Sequence, residues 1–561
     1  MPPSPTLALL PLPSPDFSDG ESDVAEASRT SDESKLVSVL HTREEGIIQY
    51  ERRLGDSELS YYLPGRAIGV NDMYLHLGLR APERLMHKER VCAVWSIMRM
   101  RHPLLASQVV MRGYEDVRFV YSPPLSPEDA LSEADRHLEF KYASKDDLID
   151  SYLNGPRTLS SERLSWLIIS RTPTTIESLP SPPLTPTDIE APDQEAIPTE
   201  RSHNYEFFIC AAHTIGDGMA LHAFANDFFG ILGSPKSQVE LQQLVVDEWT
   251  KRLGRPASAE MLPSSVEDSL PPAKGAFHRV VGRADFQIAQ SKQIGGHSFP
   301  RHSDPVRHTV VPTVSFDEHV TKAMLKKCKS EGVSIAAALF AICNIAWGKM
   351  TPREKTKLPM MMYAAMNIRP CLVPRPLNDS YWFLAVGYFN VVLPSFIPST
   401  CDVSKTLWLR ARSSKEQILR AAKTPLISSR NREMSLKRGQ QARTWAREDD
   451  AKEAGTWLPP PQPTKTDSSP VSSPPPPSAA LLGLSMLGNL DAVYKHASFP
   501  GIKLHTLTTG SRQRHGGMLL FGYTFAGKLW VSLGYDENGF ERKPLDIFWD
   551  NMLQAMTDLL V

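Results

Sequence analysis

The feature of this chain best suited to chemistry is a histidine four residues ahead of an aspartate–glycine pair, in Ala212-His213-Thr214-Ile215-Gly216-Asp217-Gly218-Met219. Imidazole titrates nearest neutral pH, so His213 is the natural general base, provided an element holds it at the edge of a cleft. Asp217 could brace the turn by accepting backbone N–H bonds or by pairing with an arginine. Gly216 and Gly218 are expected to permit a tight backbone there. The same residues also fit a core histidine followed by an aspartate that caps a helix.

The elements around this motif follow from apolar periodicity. YEFFICAAH (205–213) reads as a buried strand that ends on His213, and Met219, Leu221, Phe224, Ala225, Phe228 and Phe229 trace one face of a helix after it. LSWLIIS (164–170) reads as the strand before, so residues 171–203 become an insertion at a hairpin tip. KERVCAVWSIMRMRHPLL (88–105) is a helix ended by Pro103, and LASQVVMRG and VRFVYS pair as strands. Residues 233–305 are weakly patterned and read as a connecting segment. In the second half, SIAAALFAICNIAWGKM (334–350) starts at a serine cap and is apolar on most faces, so it should be buried. MLLFGYTF and KLWVSLGY flank Ala526-Gly527 as a hairpin. Both halves mix helices with strands, so the expected fold class is α/β, a two-layer sandwich built twice. A tail (1–36), an N-terminal lobe (37–250), a crossover linker (251–305) and a C-terminal lobe (306–561) are expected.

Composition bounds the function. Among 561 residues, 62 Lys+Arg balance 63 Asp+Glu, which argues against a dedicated nucleic-acid binder. An apolar share of 41% excludes a wholly disordered chain. The six cysteines (Cys92, Cys210, Cys328, Cys343, Cys371 and Cys401) form no CxxC pair and no zinc spacing, so neither a disulfide scaffold nor a metal site is expected. Cys210 and Cys343 read as core thiols. No stretch approaches the roughly 20 apolar residues of a membrane span, and MPPSPTLALLPLPSP is a poor signal peptide; a cytoplasmic monomer is expected. Nearly half of the 47 prolines fall in residues 1–36, 171–203 and 449–480. These tracts are expected to stay disordered, with a polyproline-II ligand for SH3-type or WW-type partners as an alternative role.

Four further segments, in order, accompany the histidine motif: RRLGDSE (52–58) followed by YYL, SIMRMRHPLL (96–105), AAMNIRP (364–370) and SMLGNLD (485–491). Together they resemble the chloramphenicol-acetyltransferase-like superfamily, which includes condensation domains of peptide synthetases, plant BAHD acyltransferases and fungal alcohol acetyltransferases. The resemblance implies two similar lobes forming a pseudo-dimer around a central tunnel with His213 at its centre. An acyl thioester would enter from one face and an alcohol or amine from the other. His213 would take the acceptor's proton during direct attack on the thioester, without an acyl-enzyme. Asp217 and Gly218 would be structural, with Arg369 as the partner of Asp217. The oxyanion needs a donor about 2.7–3.1 Å away, for which Ser485 and Asn489 are candidates. The BAHD motif DFGWG is absent, and Ala212 stands where synthetase condensation domains carry a second histidine. With no carrier or adenylation motif in the chain, the expectation is an acyl-CoA-dependent enzyme of the alcohol-acetyltransferase or condensation-like branch. Acyl-CoA would be a co-substrate, with no bound cofactor. A carrier-protein-dependent condensation enzyme and a non-catalytic binding module are the alternatives. An open tunnel at His213 separates the last from the other two.

Residues 403–447 carry twelve Lys/Arg against Glu416 and Glu433. Within them Arg430, Arg432, Lys437 and Arg438 are candidates for the phosphates of CoA, and a solvated helix face is the alternative reading. His515 is expected to be a turn residue.

Overall fold

The computed structural model of the chain describes residues 39–42, 48–172, 201–254, 261–302, 306–373, 380–399, 402–459 and 477–561. The tail and most of the two internal Pro-rich tracts lie outside these residues. The first half supplies β1 (Val39–Thr42), β2 (Ile48–Arg53), α1 (Asp56–Gly65), β3 (Met73–Pro82), α2 (Lys88–Arg101), β4 (Gln108–Gly113), β5 (Asp116–Tyr121), α3 (Pro127–Arg136), β6 (Leu138–Lys141), α4 (Lys145–Asn154), β7 (Ser165–Arg171), β8 (Ser202–Ala211), α5 (Gly218–Leu232) and α6 (Gln238–Arg252). Then come α7 (Val266–Ser269), α8 (Gly275–Ser291), β9 (Gly295–Gly296), β10 (Thr309–Val310), β11 (Thr313–Phe316), α9 (Glu318–Ser330), α10 (Ile335–Met350), β12 (Met360–Asn367) and β13 (Val386–Leu393). The chain closes with α11 (Val403–Lys423), α12 (Ile427–Glu453), β14 (Ser478–Asn489), β15 (Lys503–Ser511), β16 (Met518–Phe525), β17 (Lys528–Asp536) and α13 (Arg542–Leu560).

The result is the mixed α/β fold that the patterning predicts, with three sheets. One sheet runs β15-β3-β8-β7-β6 and carries the first core; another runs β10-β17-β16-β14-β12-β13, with β11 on β17 and β9 on β14, and carries the second. A smaller sheet, β1-β2-β5-β4, flanks the first lobe. Strands β7 and β8 pair antiparallel, Leu167 opposite Ile209, as the hairpin expected on either side of the Pro-rich insertion. Strand β8 is buried from Phe207 through Ala211, consistent with its unbroken apolar run. Helix α10 begins at Ser334, whose hydroxyl accepts from the amide of Ala337, and Ala337 through Trp347 are all buried. Its nearly all-round hydrophobicity therefore places it at the centre of the second core.

The two halves of the chain are interleaved in the first core. Strand β15 leaves the second half and pairs antiparallel with β3, Thr509 opposite Leu75. Trp382, Tyr494, Phe499, Leu507 and Phe525 likewise belong to the first core. The segment expected as a plain linker contains α6, α7 and α8. Helix α6 opens on a capping box in which the Ser237 hydroxyl accepts from the Glu240 amide and the Glu240 carboxylate from the Ser237 amide. The third Pro-rich tract is narrower than expected, because α12 runs to Glu453 and β14 starts at Ser478. Among the described residues no single helix is long and apolar enough to cross a membrane.

Candidate active site

The site is assembled from the turn upward. After β8 the chain breaks at Ala212, and the Nδ1–H of His213 donates to the carbonyl of Gly216 at 2.9 Å. That bond selects the tautomer whose lone pair sits on Nε2. The ring of Tyr61, from α1, stacks on His213 with centroids 4.1 Å apart and planes 23° apart. Burial pulls the His213 pKa below the ordinary histidine value, which favours the neutral ring. Gly216 and Gly218 sit in the turn without positive φ. A Cβ on Gly216 would come 3.1 Å from Trp382, and one on Gly218 3.1 Å from Leu487. A side chain at either position would need Trp382 or Leu487 to give way by a few tenths of an ångström.

Asp217 is the N-cap of α5, and its carboxylate accepts from the amides of Met219 (3.1 Å), Ala220 (3.2 Å) and Ala385 (2.9 Å). Arg369 Nη1 donates to both carboxylate oxygens at 2.8 Å. The Nη2 of Arg369 is taken up by the carbonyls of Phe383 (2.7 Å) and Tyr381 (3.3 Å). The pair joins a helix of the first lobe to the strand end of the second with its hydrogen bonds satisfied.

The other sequence motifs support this arrangement. In RRLGDSE, Arg52 and Glu58 form a buried bidentate pair at 2.7 Å, and the Glu58 carbonyl accepts from the Thr214 hydroxyl at 2.9 Å. This fixes α1, and with it Tyr61, against the histidine turn. In the RHPLL segment, His102 accepts or donates at 3.0 Å to the Ser380 hydroxyl and packs on Tyr381, while burial holds its pKa at about 3. It supports the loop that grips Arg369.

His213, Asp217, Gly218, Arg369, Ser485 and Arg438 all line one cavity of about 200 Å³ between the lobes. Tyr61, Tyr363, Tyr388 and Arg514 also line it, and sequence patterning did not single them out as site residues. Arg514 stands between the strands β15 and β16 in RQRHGG, a stretch with no periodic signal.

The remaining candidates are placed elsewhere. Asn489 is exposed at the end of β14 and accepts from the Thr524 hydroxyl at 3.3 Å, outside the cavity. Arg430 is bound to Asp285, Nη2 to Oδ1 at 2.9 Å, and Arg432 donates to the carbonyls of Glu267, Leu270 and Pro271 at the end of α7. Lys437 is half-buried and does not line the cavity. Much of the basic run is thus spent on structure: Arg443 and Arg447 reach Asp56 and Glu115. His515 pairs with the buried Asp536 at 3.1 Å, in the turn expected of it. Among the described residues, no cluster of three or more His, Cys, Asp or Glu could hold a metal ion.

A second cavity of about 410 Å³, lined by Arg420, Gln417, Asn390 and Lys292, lies on the far side of Tyr388. Between the two is a pocket of about 10 Å³ at Ser60, Tyr61, Tyr388 and Arg438. The Tyr61 and Tyr388 hydroxyls hydrogen-bond across this waist, and the Arg438 guanidinium lies 4.5 Å from the Tyr388 ring centroid.

No family model matches the chain, and no curated protein matches its sequence. Solved structures do match its shape. The TRI3 trichothecene 15-O-acetyltransferase from Fusarium sporotrichioides aligns over 93% of this chain and 98% of its own, with a TM-score of 0.66 and 13% identity. The first condensation domain of the CDA synthetase aligns over 91% and 96%, with a TM-score of 0.53 and 9% identity. The condensation domain of the Monacolin K polyketide synthase MokA aligns over 91% and 97%, with a TM-score of 0.52 and 8% identity. The chain therefore shares the two-lobed fold of these condensation domains and this acetyltransferase.

Proposed function

We propose that this chain is an acyltransferase that moves an acyl group from an acyl-CoA thioester to an alcohol or amine, with His213 as general base. The observation that carries the reading is the state of His213. It lines a cavity between the lobes, its Nδ1–H is held by the Gly216 carbonyl, and its pKa is lowered by burial. Nε2 therefore presents a lone pair and can accept the proton of an attacking hydroxyl or amine. The hydroxyl of Ser485, on the cavity wall, is the candidate donor to the oxyanion. Tyr61 holds the imidazole plane. The Tyr61–Tyr388 contact closes the passage between the two cavities, so the open tunnel that separates an enzyme from a binding module requires this waist to part when donor and acceptor enter from either side of Tyr388.

The test is thiol release from acetyl-CoA and longer acyl-CoAs against a panel of alcohols and amines. His213→Ala is expected to lower kcat about 10²- to 10⁴-fold with an unchanged unfolding midpoint. Equal rates in the two proteins would remove His213 from the mechanism. Transfer from a carrier-bound acyl group, with none from any acyl-CoA, would identify a carrier-dependent condensation enzyme instead.

A further inference from the structure

The cavity at His213 has a charge balance that acyl transfer alone does not call for. Asp217 is the single carboxylate among the described residues lining it, and Arg369 neutralises that group. Arg438 and Arg514 line the same cavity, and neither forms an ion pair with a described carboxylate. Arg514 Nε is buried without a hydrogen-bond acceptor, and none of its side-chain nitrogens has one among the described residues. Arg438 bonds through Nε to the Ser60 hydroxyl, at a long 3.4 Å. Its guanidinium otherwise rests on the rings of Tyr388 and Tyr61, at 4.5 and 5.7 Å.

An arginine stays charged at neutral pH, and leaving a buried guanidinium unpaired is costly. Burial, with the like charge of Arg438 beside it, pulls the Arg514 pKa below the ordinary arginine value. The protein nevertheless holds Arg514 in place firmly. Arg512 donates to the carbonyls of Tyr152, Gly155 and Pro156, and the Gln513 amide donates to the Thr309 hydroxyl. The Gly516 amide donates to Asp536 and the Gly517 amide to the Arg514 carbonyl. Arg438 is held as firmly, because α12 packs on α1 so closely that a Cβ on Gly439 would overlap Asp56. Asp449 acts on Arg514 from outside the cavity without forming an ion pair, so two fixed guanidiniums face the cavity with no ion-paired carboxylate and make a preformed anion site.

We infer that the His213 cavity binds a substrate bearing a carboxylate or comparable anionic group, held by Arg514 and Arg438 beside the reacting centre. The anion is carried either by the acyl group or by the acceptor. The phosphates of CoA lie at the far end of the pantetheine arm from the thioester and so away from His213. The choice between acyl group and acceptor rests on the acyl-transfer reading; the anion site itself does not.

Binding is tested first, on the full chain, by thermal shift with malonate and inorganic phosphate at constant ionic strength, with malonamide as the neutral control. Wild type is expected to bind malonate saturably, and Arg514→Gln to bind it about ten- to hundredfold more weakly, the loss of one charged hydrogen bond. Arg514→Lys should recover part of the affinity, and His213→Ala should keep it. No saturable shift, an equal shift with malonamide, or unchanged affinity in Arg514→Gln would overturn the inference.

Turnover then separates the two sources. A preference for malonyl-CoA over acetyl-CoA places the anion on the acyl group; a preference for hydroxy acids over their methyl esters places it on the acceptor. In either case Arg514→Gln should remove the preference by raising KM for the anionic member alone. An equal loss on charged and neutral substrates would overturn the inference and give Arg514 a role in the reaction's own charge. Malonate binding without turnover of any thioester would leave the anion site standing and discard the acyl-transfer reading.

Discussion

Two pairs of charged groups line the same cavity and are built in opposite ways. Asp217 and Arg369 satisfy one another and five backbone amides and carbonyls nearby, and they tie the start of α5 to the end of β12. Arg438 and Arg514 line the same cavity, yet among the described residues neither forms an ion pair with a carboxylate, and Arg514 Nε has no acceptor. A charge with all its partners inside the protein holds the fold together. A charge positioned without a partner costs stability in the empty protein and recovers it only when something binds.

Removing Arg369 gives the largest expected effect. Arg369→Ala leaves Asp217 buried and unpaired and should destabilise the protein by about 3–5 kcal/mol, read as a lowered urea midpoint. Asp217→Asn keeps an acceptor for the helix amides and should cost less than Arg369→Ala. Arg514→Met is the counterpart on the other side of the comparison. It removes a half-buried charge with no ion-pair partner among the described residues, so the empty protein should be unchanged or stabilised, within about 1 kcal/mol, while malonate binding is lost. Destabilisation of Arg514→Met as large as that of Arg369→Ala would show that the two pairs do the same structural work.

The pH dependence gives a smaller effect of definite sign. His213 must be neutral to act as a base, and burial lowers its pKa. kcat/KM should therefore rise with pH along an acid limb centred below the ordinary histidine value of about 6.5, and a limb at or above that value would place His213 in a wetter setting. The smallest effect concerns the ring that holds it. Tyr61→Phe keeps the stack on His213 but removes the bond to Tyr388, for a loss of about 0.5–1.5 kcal/mol in stability. Tyr61→Ala should lower kcat beyond Tyr61→Phe, because it also frees the imidazole plane.

What was legible in the sequence follows from range. The β7–β8 hairpin, helix α2 and the Ser334-capped α10 announce themselves through apolar runs and caps within a few residues of one another. Helix α6 was hidden because few of its side chains, Leu241 and Val245 among them, are buried, so its apolar face is narrow. Strand β15 was hidden because its partner β3 is more than 400 residues earlier in the chain. The motif residues around His213 could be named in advance. Asn489, Arg430 and Arg432 could not be rejected in advance, because only the fold shows that β14 carries Asn489 past the cavity and that Asp285 and the end of α7 occupy the two arginines.

By itself the sequence determined the local chemistry: a histidine at a strand end, an aspartate able to cap the following helix, and an arginine after the strand β12. Those depend on residue type and short spacing. The tertiary structure alone decided which charges are left over. Arg514 and Arg430 are equivalent as letters, and their difference is whether a carboxylate from a distant part of the chain arrives beside them. Asp285 bonds Arg430, whereas among the described residues no carboxylate forms an ion pair with Arg514, which the fold places on the cavity wall.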